Sequence, residues 1–112
     1  MKKILETPIL ITGAAGFIGS NLTRSLLSTG LEVNIIIRNK TNTWRINDII
    51  KDIKIHTVDL SNEIKVRKII NQIKPRTIFH LAAYGAYPYQ NEMEVIKLIN
   101  LDCTINFRYQ FK

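Results

Sequence analysis

The chain has 112 residues, 46% of them hydrophobic and 22% charged, with a net charge of +7. That length suits one domain or part of one, able to bury roughly two-thirds of the surface its unfolded form exposes, and the composition excludes global disorder. The lone cysteine, Cys103, excludes a disulfide framework and a cysteine-rich zinc site, and no apolar run approaches the ~20 residues of a membrane span.

Met1-Lys2-Lys3 gives the chain the positive start of a secretory signal. Glu6 and Pro8 interrupt the apolar stretch that should follow, so a cytoplasmic location is expected. Residues 8–12, Pro-Ile-Leu-Ile-Thr, form a short apolar run ending at a glycine, as a buried strand does. Over 17–29, Ile18, Leu22, Leu26 and Leu27 recur at helical spacing, and Gly30 supplies the stop. A second strand is expected over 32–37, where the run is β-branched. A short helix follows over 43–51, with Trp44 packing it, and a third strand over 53–58. The next helix spans 63–73, with Ile64, Ile69, Ile70 and Ile73 for its inner face, Ser61 as N-cap and Pro75 ending it. The spacing predicts a fourth strand over 77–81 and a further helix from 92 to about 106. Strands alternating with helices predict an α/β fold of Rossmann type, a doubly wound parallel sheet of about four strands. The expected order is 3-2-1-4, with a ligand crevice at the carboxyl ends of strands 1 and 4, where the order reverses.

Six of the seven net positive charges fall within residues 38–76, which hold ten Lys or Arg against four acids. A solvated face explains this, and so does attraction of an anionic ligand. Charge alone also fits nucleic acid. Against that, the basic residues are dispersed among apolar ones, and no aromatic-rich RNA-binding signature is present.

The segment Thr12-Gly13-Ala14-Ala15-Gly16-Phe17-Ile18-Gly19 carries the chemistry. It joins the first strand to the first helix, the context in which a glycine triplet becomes informative. Gly13 can take the positive φ of a tight turn. Gly16, without a Cβ, lets a pyrophosphate approach the backbone, and Gly19 lets the helix pack closely on the sheet. Uncovered N–H groups and the positive end of the helix dipole then face the phosphates. The second strand ends Ile37-Arg38-Asn39-Lys40, with no acid where an NAD site places a carboxylate for the ribose hydroxyls. Arg38 stands there instead. A guanidinium can fork onto a 2′-phosphate that a carboxylate would repel, so the expected cofactor is NADP in preference to NAD. Arg38 stacked on adenine would suit either.

The glycine spacing departs from G-x-G-x-x-G. It resembles the T-G-x-x-G-x-x-G motif of the short-chain dehydrogenase/reductase superfamily, and within it the extended branch of nucleotide-sugar epimerases, dehydratases and reductases. Three further segments resemble that family in the same order. Val58-Asp59-Leu60 is similar to its acidic pair after strand 3, which contacts adenine. Phe79-His80-Leu81-Ala82-Ala83 is similar to its H-L-A-A signature near the nicotinamide ribose. Asn100-Leu101-Asp102-Cys103-Thr104-Ile105-Asn106 is similar to its N-x-x-G-T-x-N helix, with Cys103 at the glycine position. The resemblance implies a cofactor site made of Gly13, Gly16, Phe17, Ile18, Gly19, Arg38, Asp59, Leu60, Leu81, Ala82, Ala83 and Asn100. It implies a structural role for His80 at the strand end. The loop bearing Tyr84, Tyr87 and Tyr89 either faces substrate or packs.

The family's hydride chemistry uses a tyrosine acid/base with a lysine four residues later. A phenol near pKa 10 is a poor base at neutral pH without a nearby cation. Here Tyr84 is followed at that distance by Pro88, Tyr87 by Asn91 and Tyr89 by Met93; Tyr109 is three residues from Lys112, and no serine occurs after Ser61. The chain therefore reads as residues 1–112 of a partial NAD(P)-binding domain, with no catalytic residue and without the substrate-binding part. A nucleotide-sugar substrate is expected only for a complete enzyme. An uncovered fourth strand would also favour association through the sheet edge. The alternatives are a non-catalytic NADP-binding or regulatory module and, more remotely, a basic nucleic-acid-binding domain with a steep salt dependence.

Overall fold

The computed structural model describes residues 5–82. Ala83, Asn100, Cys103, the loop with Tyr84, Tyr87 and Tyr89, and the helix expected over 92–106 lie outside the described residues. In chain order the elements are β1 (Ile9–Thr12), α1 (Phe17–Ser28), β2 (Val33–Ile37), a 3-10 helix (Trp44–Asp52), β3 (Lys54–Thr57), α2 (Glu63–Ile73) and β4 (Thr77–His80). The strands form one sheet in the order β3-β2-β1-β4, and every pair is parallel. This is the doubly wound order expected from the alternation of elements. Among the described residues, no helix is long and apolar enough to cross a membrane.

β1 lies between β2 and β4 and is covered on both faces, so its apolar residues run without alternation. Ile9 and Ile11 pack on one side with Val33, Ile35, Leu26 of α1 and Ile46 of the 3-10 helix. Leu10 points to the other side and packs with Ile36, Val58, Leu60, and Val66 and Ile70 of α2. The sheet thus has a core on each face.

Two helix faces differ from expectation. On α1, Ile18 is 71% exposed, and the buried residues are Gly19, Ser20, Thr23 and Leu26. Residues 19, 23 and 26 share a face, and the small first two bring the helix start close to the sheet. Thr23 satisfies its buried hydroxyl by donating to the Gly19 carbonyl at 2.7 Å. On α2, Ile64 is 81% exposed and Val66 takes the inner position. Residues 66, 69, 70 and 73 keep helical spacing, whereas Ile64 lies two residues, roughly half a turn, from Val66.

Helix ends follow local chemistry. Gly30, at φ +81°, closes α1: its N–H donates to the Leu27 carbonyl at 2.9 Å, and Leu31 N–H reaches Leu26 at 3.3 Å. This is a Schellman ending, with glycine where the left-handed conformation is needed. The N-cap of α2 is Asn62, which accepts from Lys65 N–H at 3.2 Å; Ser61 does not cap the helix. Ser61 is engaged instead by the preceding acid, Asp59. Arg24 ties α1 to the 3-10 helix through the Asp48 carboxylate at 2.7 Å and the Arg45 carbonyl.

Candidate functional site

The carboxyl ends of the parallel strands bring together the glycine turn, the end of β4 and a basic cleft. After β1 the chain turns at Gly13, with φ +73°. A Cβ there would lie 2.8 Å from the Ala82 nitrogen and 2.9 Å from the Leu81 carbonyl carbon. A Cβ on Gly19 would meet the Gly13 oxygen at 2.0 Å and Ala14 Cα at 2.8 Å. Both glycines are therefore required by backbone packed on backbone.

Gly16 is different. Its backbone is extended (φ −76°, ψ 176°), and the nearest atom to an added Cβ is the Gly13 oxygen at 3.4 Å, ordinary van der Waals distance. It is exposed, and among the described residues nothing requires a glycine there. It also occupies the N-cap of α1, where among the described residues no side chain caps the helix, and no acid stands in the first turn. The leading amides of a helix have no carbonyl partner within it, so this end presents bare donors and the positive end of the dipole. Phe17 and Ile18, the first two helical residues, are 70% and 71% exposed. A phosphate-bearing ligand fits this combination: an open approach over a missing Cβ, onto uncapped amides.

The end of β4 is locked to the end of β1. Thr12 Oγ1 lies 2.6 Å from His80 Nδ1 and accepts from Ala82 N–H at 3.2 Å, while Leu81 N–H donates to the Thr12 carbonyl at 3.2 Å. This fixes the segment that runs past Gly13 and gives His80 a strand-end contact. Thr12, fully buried, entered the sequence reading only as the first residue of the T-G-x-x-G-x-x-G motif, with no role of its own.

On the other side, an open cleft of about 630 Å³ lies over the ends of β2 and β3. Arg38, Asn39, Lys40, Thr57, Val58, Asp59 and Lys65 line it. Arg38 directly follows β2, and its N–H donates to Thr41 Oγ1 at 2.9 Å, which fixes the turn. Asp59 Oδ1 accepts from Ser61 N–H at 2.9 Å and Ser61 Oγ–H at 2.7 Å. Those bonds, with a smaller contribution from the Arg38 charge, hold the Asp59 carboxyl below the usual carboxylate range. Ser61 makes no use of Oδ2, which remains able to accept from an amino group. Of the expected site residues, Arg38 and Asp59 thus share one cleft, and Gly13 meets Leu81 and Ala82. Leu60 is 9% exposed and belongs to the α2-side core, so its side chain does not line the cleft. Lys40 and Lys65 were missed by sequence reasoning: Lys40 stood two positions beyond Arg38, but only the fold brings Lys65 there.

A glycine turn opening a helix from a central parallel strand, in the order β3-β2-β1-β4, defines a Rossmann-type nucleotide-binding fold. A family model described as GDP-mannose 4,6 dehydratase matches residues 10–101, and the chain belongs to that family, within the extended short-chain dehydrogenase/reductases. It is 42% identical over 84 residues to GDP-mannose 4,6 dehydratase 2 of Arabidopsis thaliana, covering 66% of this chain and 22% of that protein. It is 35% identical over 92 residues to UDP-glucose 4-epimerase of Caenorhabditis elegans, covering 70% of this chain and 26% of that protein. Its fold matches the crystal structure of Thermus thermophilus UDP-glucose 4-epimerase in complex with NAD. The TM-score is 0.75 at 27% identity, over 91% of this chain and 32% of that one. The chain thus spans between 22% and 32% of the lengths of these proteins.

Proposed function

We propose that this chain is the dinucleotide-binding part of a nucleotide-sugar dehydratase or epimerase, with NADP preferred to NAD. Gly16 carries the reading: an exposed glycine that the fold does not need, at an uncapped helix terminus. The turn from Gly13 to Gly19, including the amides of Phe17 and Ile18, holds the pyrophosphate. Asp59 accepts from the adenine amino group through Oδ2, and Leu60 supports that turn from the core. Leu81 and Ala82 run along the nicotinamide ribose, and the family motifs add Ala83 and Asn100 to the set.

The NADP preference rests on the end of β2, where Arg38 stands in place of an acid and opens onto the cleft. A 2′-phosphate matches a forked guanidinium, and a ribose hydroxyl gains less from it. When bound, the nicotinamide supplies hydride transfer to and from a sugar carbon. The residues of this chain bind and orient it. No tyrosine here has a lysine four residues on, so proton transfer needs groups from outside these 112 residues, and the chain alone does not turn over.

Calorimetric titration of the purified chain tests this. NADP is expected to bind more tightly than NAD, with no conversion of GDP-mannose or UDP-glucose. NAD binding at least as tightly rejects the preference. No binding of either cofactor rejects the reading, and sugar conversion by the chain alone rejects the assignment of proton transfer to other residues.

A further inference from the structure

The cleft over β2 and β3 is built from two elements. Arg38 and Lys40 come from the turn after β2, and Lys65 comes from α2. Lys65 is the third residue of that helix, and its N–H is the donor that Asn62 accepts. The turn from Asp59 through Asn62 therefore sets both the carboxylate and the lysine in one cleft. Among the described residues, the lining carries three cations against one carboxylate.

Beyond the weak pull of the Arg38 charge on Asp59, these three cations stand outside the ion pairs of the described residues. Elsewhere, Arg24 pairs with Asp48, Lys54 with Glu32, Arg67 with Glu63 and Arg76 with Glu6. None of the ion pairs among the described residues involves Arg38, Lys40 or Lys65. Asp59, which also lines the cleft, directs Oδ1 to Ser61. A doubly charged phosphate monoester is the ligand chemistry such a lining fits, because a cation from each side can contact different oxygens.

We infer that Lys65 is a specificity-determining residue for the adenosine 2′-phosphate, closing on it from α2 opposite Arg38. This rests on the NADP reading above and adds a second phosphate ligand that the end of β2 does not contain. An ammonium on a flexible stem suits this place, since it can follow the phosphate without the geometric demand of a guanidinium.

The test titrates the full chain with adenosine 2′,5′-bisphosphate and with adenosine 5′-phosphate. Wild type is expected to prefer the bisphosphate. Lys65→Met should lose about tenfold of the bisphosphate affinity, the size of one charge-assisted contact, with 5′-phosphate binding unchanged. Lys65→Arg should retain the preference. Lys68→Met removes an equal charge from an exposed position on the same helix that does not line the cleft, and should stay within about twofold of wild type. Bisphosphate binding unaffected by Lys65→Met overturns the assignment. An equal loss in Lys68→Met overturns it too, by reducing the effect to net charge. If Arg38→Met abolishes the preference while Lys65→Met does not, the proposed function stands and only the role of Lys65 falls. If wild type shows no preference for the bisphosphate, the NADP reading itself fails, and the inference with it.

Discussion

Replacing each glycine of the turn by alanine separates what the fold needs from what a ligand needs. At Gly16 the added methyl has ordinary clearance, 3.4 Å from the Gly13 oxygen, on a backbone open to any L-residue. Loss of backbone freedom in the unfolded chain favours alanine by ~0.4–1 kcal/mol, and alanine is a poorer N-cap than glycine. These effects oppose each other, so Gly16→Ala should change stability by less than about 1 kcal/mol. The same methyl stands over the uncapped end of α1, so NADP affinity should fall about tenfold or more, ~1.4 kcal/mol in binding. Gly19→Ala behaves in the opposite way. Its methyl would sit 2.0 Å from the Gly13 oxygen, backbone that cannot rotate aside, and the cost should reach about 3 kcal/mol. Gly13→Ala combines left-handed strain of ~1–2 kcal/mol with contact to the Ala82 nitrogen at 2.8 Å. Urea denaturation followed by circular dichroism reads stability, and calorimetric titration reads affinity. A Gly16→Ala variant as unstable as Gly19→Ala, or one that binds NADP like wild type, would refute the reasoning.

His56 gives the stability a pH dependence. Burial, and then the nearby Lys54 charge, hold its pKa below the ordinary value of 6.5. A depressed folded pKa means the unfolded chain takes up the proton first, so the stability contribution is complete above about 6.5 and is lost as pH falls below it. Urea midpoints should decline from pH 7.5 to 5.5, and less steeply in His56→Gln; equal slopes would contradict the assignment. Thr12→Val keeps the shape but removes the oxygen shared by His80 and Ala82 N–H. It should cost ~1–3 kcal/mol, and an unchanged melting curve would show that these contacts do not hold β4. Asn62→Ala should cost ~1 kcal/mol through loss of the α2 cap. Ser61→Ala should leave the helix intact and raise the Asp59 carboxyl toward its normal range, as read by NMR titration; the reverse pattern would restore Ser61 as the cap.

Much of this protein is written locally. The apolar run of β1, the β-branched run of β2, the αL glycine after α1 and the alternation of elements all depend on residues close in sequence. Right-handed crossovers then leave few topologies, and the order β3-β2-β1-β4 follows. Arg38 was legible for the same reason, as the end of β2, whereas Asp59 was read from the resemblance of Val58-Asp59-Leu60 to the family's acidic pair. Tertiary structure decided what depends on distant neighbours. Ile18 turns outward because Gly19 and Thr23 admit the sheet, and Ile64 yields the inner face of α2 to Val66. Asn62 caps α2 because Asp59 takes Ser61. Three glycines that look alike in sequence divide into two required by packing and one, Gly16, where an added Cβ has ordinary clearance. Lys65, six residues beyond Asp59, reaches the basic cleft only because the turn and helix carry it there. Periodicity and turn chemistry act over a few residues, whereas steric exclusion and shared clefts arise only where distant segments are brought into contact.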